Sequence, residues 1–97
     1  MLIVVAYDIS LVDKKGQKRL RKVAKKCEQY GQRVQNSVFE CYLSYDQFTK
    51  MKVELLALIN VKEDSLKFYR LGKNYQNKIE TFGTKEVFDL HNDTLVF

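Results

Sequence analysis

The chain begins with an apolar strand pattern that is interrupted by one carboxylate. Residues 2–9, "LIVVAYDI", are rich in Val and Ile and predict a β-strand. Successive side chains of a strand point to opposite faces, so one face carries Leu2, Val4, Ala6 and Asp8, and the other carries Ile3, Val5, Tyr7 and Ile9. Both faces are apolar until Asp8, and we therefore expect the strand to be covered on both sides.

An amphipathic helix is predicted next. Asp13 is suited to cap its N-terminus, and Gly31 is typical of the residue that follows a helix. Between them, apolar residues recur at three- and four-residue steps, at Leu20, Val23, Ala24, Cys27 and Tyr30. The basic residues of this segment occupy the remaining faces of the helix.

The middle of the chain predicts a broken strand and a second helix. Residues 33–43, "RVQNSVFECYL", have a strand pattern whose alternation breaks near Asn36–Ser37. Such a break indicates either a β-bulge or two short strands. Ser44 and Gln47 have the spacing of a capping box. The helix that they begin should run to about Ile59.

Strand patterns return in residues 65–71, in residues 78–83 and in the tail of about residues 84–97. The order of elements predicts a single α+β domain over residues 1–97. Its plan is the ferredoxin-like β-α-β-β-α-β arrangement with an added C-terminal strand.

Two helices on such a sheet cover one face and leave the other bare. Because the first strand is apolar on both faces, we predict a homodimer in which the bare sheet faces of two copies meet. The closing "TLVF" is apolar strand material at a terminus. We expect it to pair, with the sheet of the other protomer as one candidate partner.

Charge supplies the first indication of function. The 97 residues carry 17 Lys and Arg against 12 Asp and Glu, for a net charge of +5. No acid lies within residues 14–26, whose basic residues are Lys14, Lys15, Lys18, Arg19, Arg21, Lys22, Lys25 and Lys26. A solvated helix face is one interpretation. The lack of acids at helical spacing favours the other, a surface that binds a polyanion such as nucleic acid.

Several classes of protein are disfavoured. The N-terminus lacks the basic segment of a signal peptide, and no apolar run approaches the roughly 20 residues that span a bilayer. We therefore expect a cytoplasmic protein without a membrane partner. Cys27 and Cys41 are interpreted as reduced, packed thiols rather than a disulfide framework. No nucleophile–base pair, glycine-rich phosphate loop or zinc spacing is found.

Asp8 has two interpretations. In the first it simply ends the strand and bonds to turn amides, as Asp often does. In the second, a symmetric dimer brings two copies of Asp8 together near the twofold axis. Two carboxylates with carbonyls and waters could then hold Mg²⁺, which could activate water and stabilise charge at a phosphodiester.

The neighbours of Asp8 are weaker candidates. Tyr7 points to the opposite sheet face and is interpreted as a core aromatic, as is Phe39. Ser10 could offer oxygen ligands near a metal or be an ordinary loop residue. Arg33 could contact phosphate or interact with the C-terminal end of the helix dipole. The single histidine, His91, is assigned no role.

These residues resemble a known family. "YDIS" at the end of the first strand, "KRLRK" in the helix and "GQRVQNSVFECYL" are together similar to the CRISPR-associated protein 2 family. The similarity extends over essentially the whole chain, because its length, the order of its elements and the "DSLKFYRL" segment also agree. It implies a ferredoxin-like homodimer formed through the sheets, with C-terminal strands that typically cross to the partner.

The resemblance also implies an activity. Asp8 from both protomers becomes the metal-binding and catalytic residue, with Mg²⁺ or Mn²⁺ as the cofactor. The implied activity is that of an endonuclease acting on single-stranded RNA or double-stranded DNA. The implied assembly is a dimer that bridges CRISPR integrase dimers during spacer acquisition. The positions implied to affect activity are Tyr7, Asp8, Arg19, Arg21, Arg33 and Phe39, with Lys18 and Lys22 as alternatives within the helix.

Other functions are compatible with the same residues. A non-catalytic DNA-binding scaffold would need the basic helix and the dimer but not the chemistry of Asp8. A toxin-like mRNA interferase on a related fold would share the basic surface. A small-molecule regulatory dimer is disfavoured by the unneutralised basic helix. The sequence does not distinguish RNA from duplex DNA as the substrate, nor does it indicate a CRISPR subtype.

Overall fold

The computed structural model describes residues 1–72. The strand expected over residues 78–83 and the C-terminal extension expected over residues 84–97 lie outside the described residues. The elements, in chain order, are β1 (Leu2–Asp8), α1 (Lys14–Tyr30), β2 (Gln32–Gln35), β3 (Val38–Tyr42), α2 (Tyr45–Leu58) and β4 (Ser65–Leu71). This order confirms the predicted β-α-β-β-α-β plan and the α+β class.

The four strands form one antiparallel sheet in the order β2-β3-β1-β4. Strand β1 therefore lies in the interior of the sheet, with β3 on one side and β4 on the other. In the register of the sheet, Val5 is opposite Phe39 of β3 and Phe68 of β4, and Asp8 is opposite Ser65 at the beginning of β4. The ladder with β3 ends at Ala6, so the end of β1 that carries Asp8 is paired with β4 alone.

The predicted break in the second strand pattern has two components. Strands β2 and β3 form a hairpin in which Gln35 pairs with Val38, so Asn36 and Ser37 form the turn. The register also shifts between Arg33 and Gln35, as in a β-bulge. The sequence pattern is compatible with either two short strands or a bulge, and the structure contains both.

Both faces of β1 are buried, as its sequence predicts. On the helix side, Ile3, Val5 and Tyr7 join a core that includes residues of α1 and α2. On the opposite side, Leu2 and Val4 are 2% and 0% exposed. This burial occurs within one chain, so it does not by itself require a second copy.

No helix among residues 1–72 is long and apolar enough to cross a membrane.

The predicted helix caps are formed. Asp13 Oδ1 accepts a hydrogen bond of 2.9 Å from the Gly16 N–H at the start of α1. At α2, Ser44 Oγ accepts from the Gln47 N–H at 3.2 Å, and Gln47 Oε1 accepts from the Ser44 N–H at 2.9 Å. This reciprocal pair is the expected capping box. Each cap satisfies N–H groups that have no partner inside the helix.

Gly31 ends α1 for a different reason from the one the sequence suggested. It is the C-cap itself, one position earlier than expected, and its backbone is extended, with φ −163° and ψ −163°. Glycine is instead required to avoid a steric clash, because a Cβ at this position would overlap the Glu40 carbonyl oxygen and Cys41 Sγ on β3. The glycine thus lets the end of α1 lie directly against the sheet.

The two cysteines are buried free thiols in the core on the helix side, as predicted. Burial raises the pKa of Cys27 to about 12 and that of Cys41 to about 11. Both thiols are therefore protonated at neutral pH. A protonated, buried thiol is a poor nucleophile, which supports a packing role for both residues.

Substituting Gly31 tests this close packing. We expect Gly31→Ala to lower the free energy of unfolding by about 1–3 kcal/mol, because inserting a methyl group there forces the backbone of β3 to shift. Gly72→Ala is the matched control, because a Cβ there would meet no atom of the described part of the chain within 4 Å. Urea denaturation of both variants measures the difference, and equal stabilities would contradict the assignment.

Candidate active site and nucleic-acid interface

Asp8 is an exposed carboxylate at the end of a buried strand. Its chain neighbours Tyr7 and Ile9 are each only 5% exposed, whereas Asp8 is exposed to solvent. Within residues 1–72, no hydrogen bond or ion pair engages its carboxylate, so the predicted alternative of bonding to turn amides is not formed there. The side chain is thus available to an external ligand.

The loop that follows Asp8 is held by a carboxylate that sequence reasoning missed. The Asp64 side chain is completely buried, with 0% exposure. Its Oδ1 accepts from the Ser10 N–H at 2.9 Å and from Arg19 Nη2 at 3.3 Å. Its Oδ2 accepts from Arg19 Nε at 2.8 Å and from the Asn60 N–H at 2.8 Å. One carboxylate therefore joins three segments of the chain.

The protonation of Asp64 is governed by opposing effects. Burial raises the pKa of its carboxyl, but hydrogen bonds from Arg19, Asn60 and Ser10, together with the charge of Arg19, outweigh burial and hold the pKa below its ordinary value. The hydrogen bond to Asp64 in turn raises the pKa of the Arg19 guanidinium. Asp64 is therefore ionised, and the ion pair is intact, at neutral pH.

Arg19 is largely occupied within the molecule. Its side chain is 16% exposed and also lies 3.2 Å from the Glu63 carboxylate, in addition to its contacts with Asp64. Sequence reasoning placed Arg19 among the nucleic-acid-binding residues. The structure places it in an internal ion pair, where it has less capacity to bind a phosphate.

Lys26 is a second basic residue with an internal partner. Its ammonium lies 2.9 Å from a carboxylate oxygen of Glu54 on α2, and the Tyr30 hydroxyl donates to the same carboxylate. The hydrogen bonds from Tyr30 and Lys26 lower the pKa of Glu54. The acid inside α1, Glu28, pairs with Arg33 rather than with this cluster. Acids from α2 and from the loop after it instead neutralise Lys26 and Arg19.

The other six basic residues form a continuous exposed surface, which we call the basic face. Its members are Lys14, Lys15, Lys18, Arg21, Lys22 and Lys25, all exposed. At about 100° per residue, their side chains fall within roughly 120° of the helix circumference. Within the described part of the chain, none of them forms an ion pair. Such a surface matches the charge of a phosphate backbone.

Tyr7, Phe39 and Arg33 form one packed group on the helix side of the sheet. The Tyr7 and Phe39 rings stack with centroids 6.2 Å apart, and the Arg33 guanidinium lies 5.1 Å from the Phe39 centroid. Arg33 also pairs with Glu28 in the last turn of α1, at 3.4 Å. Phe39 is fully buried, and Tyr7 is nearly so. Both are core aromatics, as their sequence positions indicated.

Tyr7 connects this group to the hairpin turn. Its hydroxyl donates to the Asn36 carbonyl at 3.3 Å, and its backbone N–H donates to the Ser37 carbonyl at 3.1 Å. Burial raises the pKa of Tyr7 to about 12, so the phenol is protonated at neutral pH. The ring lies on the face of the sheet opposite to Asp8. The geometry thus gives Tyr7 a role in holding the β2–β3 turn.

The described part of one chain supplies few metal-binding side chains close to one another. Residues 1–72 contain no group of three or more His, Cys, Asp or Glu side chains that could hold a metal ion. Mg²⁺ is commonly bound through one or two carboxylates, with waters and substrate phosphates completing its shell. A single exposed Asp8 fits that kind of site when a second carboxylate and a nucleic acid contribute the remaining ligands.

Comparison with known proteins places the chain in a family. The sequence profile of CRISPR-associated protein Cas2 matches residues 1–79. The CRISPR-associated endonuclease Cas2 of Halalkalibacterium halodurans is 53% identical, with both chains covered completely. The CRISPR-associated endoribonuclease Cas2 of Nitratidesulfovibrio vulgaris is 48% identical over 92% of this chain and 87% of that one.

Solved structures agree with this result. The crystal structure of Streptococcus pyogenes Cas2 superposes with a TM-score of 0.76 at 51% identity, covering 86% of this chain and all of that one. A hypothetical protein from Thermus thermophilus superposes with a TM-score of 0.71 at 32% identity, covering 89% of this chain and 94% of that one. The chain belongs to the Cas2 family of CRISPR-associated proteins.

Proposed function

We propose that this protein is a metal-dependent endonuclease that cleaves phosphodiester bonds of RNA or double-stranded DNA in CRISPR adaptation. The observation that carries the proposal is Asp8, an exposed carboxylate without a partner in the described residues, held at the end of a buried strand. Relatives named endonuclease and endoribonuclease support the same reaction class.

The catalytic unit that we propose is a homodimer with one Asp8 from each protomer. Within residues 1–72, one chain offers a single carboxylate without a partner at the end of β1, which is too few ligands for a hard cation. A twofold axis near the ends of two β1 strands would pair the two Asp8 side chains. Their mutual repulsion would favour a bound cation, which relieves it. Mg²⁺ or Mn²⁺ bound there would activate water and stabilise charge on the phosphate.

The residues around Asp8 have supporting roles in this proposal. Tyr7 and Phe39 stabilise the end of the sheet through their stack and through the bond from Tyr7 to the hairpin turn. The Ser10 N–H is bonded to Asp64 and its carbonyl oxygen lies against Gly16, so the hydroxyl is the Ser10 oxygen that remains for a metal. Arg33, with a side chain 43% exposed, keeps part of its guanidinium accessible to a phosphate.

A second function, a nucleic-acid scaffold, is favoured by the basic face. Six exposed cations on one side of α1 could hold a duplex backbone without any chemistry at Asp8. In this role the homodimer would bridge dimers of the CRISPR integrase. The two functions are compatible in one protein. A toxin-like mRNA interferase would share the basic face, and an adjacent integrase gene with a repeat array would argue against it.

Substitution of Asp8 tests the proposed nuclease. We expect Asp8→Asn to reduce cleavage more than the roughly 10–100-fold that is typical for loss of an outer-shell partner, because Asp8 is proposed as a direct metal ligand. Folding and dimerisation should be unchanged, since the side chain is exposed and has no partner in the described residues. The measurement is cleavage of RNA and of duplex DNA, each with and without Mg²⁺.

The control for this measurement is Asp46→Asn, which removes an exposed acid from the first turn of α2. Its cleavage rate should remain close to that of the wild type. Cleavage by folded, dimeric Asp8→Asn at the wild-type rate would contradict the nuclease proposal and leave the scaffold function.

The salt dependence of binding tests the basic face. We expect replacement of Lys18, Arg21, Lys22 and Lys25 by Gln to weaken DNA binding. The slope of log K against log salt should become shallower by about one for each phosphate that the variant no longer neutralises. Fluorescence anisotropy with a labelled duplex at several NaCl concentrations provides both quantities.

Two single substitutions calibrate this result. Lys62→Gln removes a lysine outside the basic face and should leave the slope unchanged. Lys22→Gln removes a member of the basic face and should make the slope of log K against log salt shallower. If the fourfold variant kept the wild-type slope, the basic face would not be the phosphate-binding surface.

A further inference from the structure

The Asp64 carboxylate lies beside the end of β1 that carries Asp8. Asp8 is paired with Ser65 in the antiparallel register, so Asp64 comes immediately beyond that pair. Its Oδ1 then accepts the N–H of Ser10, which is two residues after Asp8. The path of the chain on leaving β1 is therefore set by Asp64.

This attachment has little freedom because the hydrogen-bonding capacity of the carboxylate is fully used. An ionised carboxylate has about four lone-pair sites, and Asp64 receives four hydrogen bonds, two on each oxygen. Two of the four come from one guanidinium, whose planar geometry restricts the orientation of the pair. Rotation of the carboxylate would break several of these bonds together.

The other side of Ser10 is constrained as well. A Cβ at Gly16 would overlap the Ser10 carbonyl oxygen, so the loop packs directly on the first turn of α1. Asp13 bonds to the Gly16 N–H and holds that turn in place. The N–H and carbonyl sides of Ser10 are thus both fixed, one by Asp64 and one by α1.

We propose that Asp64 is a positioning residue that sets the location of the Asp8 carboxylate relative to the basic face. This proposal rests on the proposed nuclease function. The link to the basic face is Arg19, which belongs to α1 and binds both oxygens of Asp64. If two Asp8 side chains share a metal, displacement of either carboxylate changes the distance between the two. Asp64 would then act on metal affinity without contacting the metal.

The test compares Asp64→Asn with Glu63→Gln. Both substitutions remove one negative charge from the surroundings of Arg19, but only Asp64 is bonded to the Ser10 N–H. The first measurement is amide hydrogen exchange by NMR at Ser10 and at Val5 in the middle of β1. The second is the dissociation constant for Mn²⁺ by calorimetry without nucleic acid. The third is kcat and KM for cleavage.

In Asp64→Asn, we expect exchange at Ser10 to accelerate at least about tenfold more than exchange at Val5, because the loop opens locally. The Mn²⁺ dissociation constant should rise about 10-fold or more. The value of kcat should fall while KM for the nucleic acid changes little, because the basic face is intact. Glu63→Gln should match the wild type in all three measurements.

Two results would overturn the positioning role. One is a folded Asp64→Asn variant with the wild-type Mn²⁺ affinity. The other is exchange at Ser10 that rises only in step with exchange at Val5, since Asp64 would then contribute to global stability alone. A wild-type protein that binds no Mn²⁺ and cleaves nothing would instead refute the proposed function, and the exchange comparison would still decide the role of Asp64.

If Asp64→Asn does not fold, Asp64→Glu provides a second test of the positioning role. It keeps the charge that pairs with Arg19 but places the carboxylate one methylene further from the backbone. We expect this variant to fold and to show faster Ser10 exchange and weaker Mn²⁺ binding than the wild type. Wild-type values for both quantities in Asp64→Glu would overturn the proposal.

Discussion

Strand β1 has a hydrogen-bonded neighbour along each edge, and its last side chain, Asp8, is exposed to solvent. It pairs with β3 and with β4, and before Asp8 its residues are buried except Ala6, which is half-buried. Displacing β1 would break two ladders of backbone hydrogen bonds and expose the core, so the sheet fixes the strand, while Asp64 holds the loop that follows Asp8. A carboxylate that is both exposed and rigidly placed suits a metal ligand, because a rigid ligand needs little ordering on binding.

The same end of the molecule connects the proposed chemistry to the proposed binding surface. Asp64 binds the loop after Asp8 and also Arg19 of α1, while the basic face occupies the outer side of that helix. The loop after Asp8 and the helix that carries the basic face are therefore joined through one buried carboxylate. In this account Arg19 maintains geometry, and the six exposed basic residues supply the attraction for nucleic acid.

Sequence reasoning predicted features that depend on local patterns. The two-sided burial of β1, the Asp13 cap and the Ser44 capping box all follow from residues within a few positions of one another. It did not predict the partners of Arg19 and Lys26, because Asp64 and Glu54 lie 45 and 28 residues away and only the folded chain brings them together. Nor could it show that Gly31 is required by contact with β3.

The central claim is that two Asp8 carboxylates form one shared site, and a mixed dimer tests it most directly. Wild-type and Asp8→Asn subunits with different affinity tags would be co-expressed, and the heterodimer would be purified through both tags. If the site needs both carboxylates, the heterodimer should cleave no faster than the Asp8→Asn homodimer. Cleavage at about half the wild-type rate would mean that each protomer acts alone, and it would contradict the account.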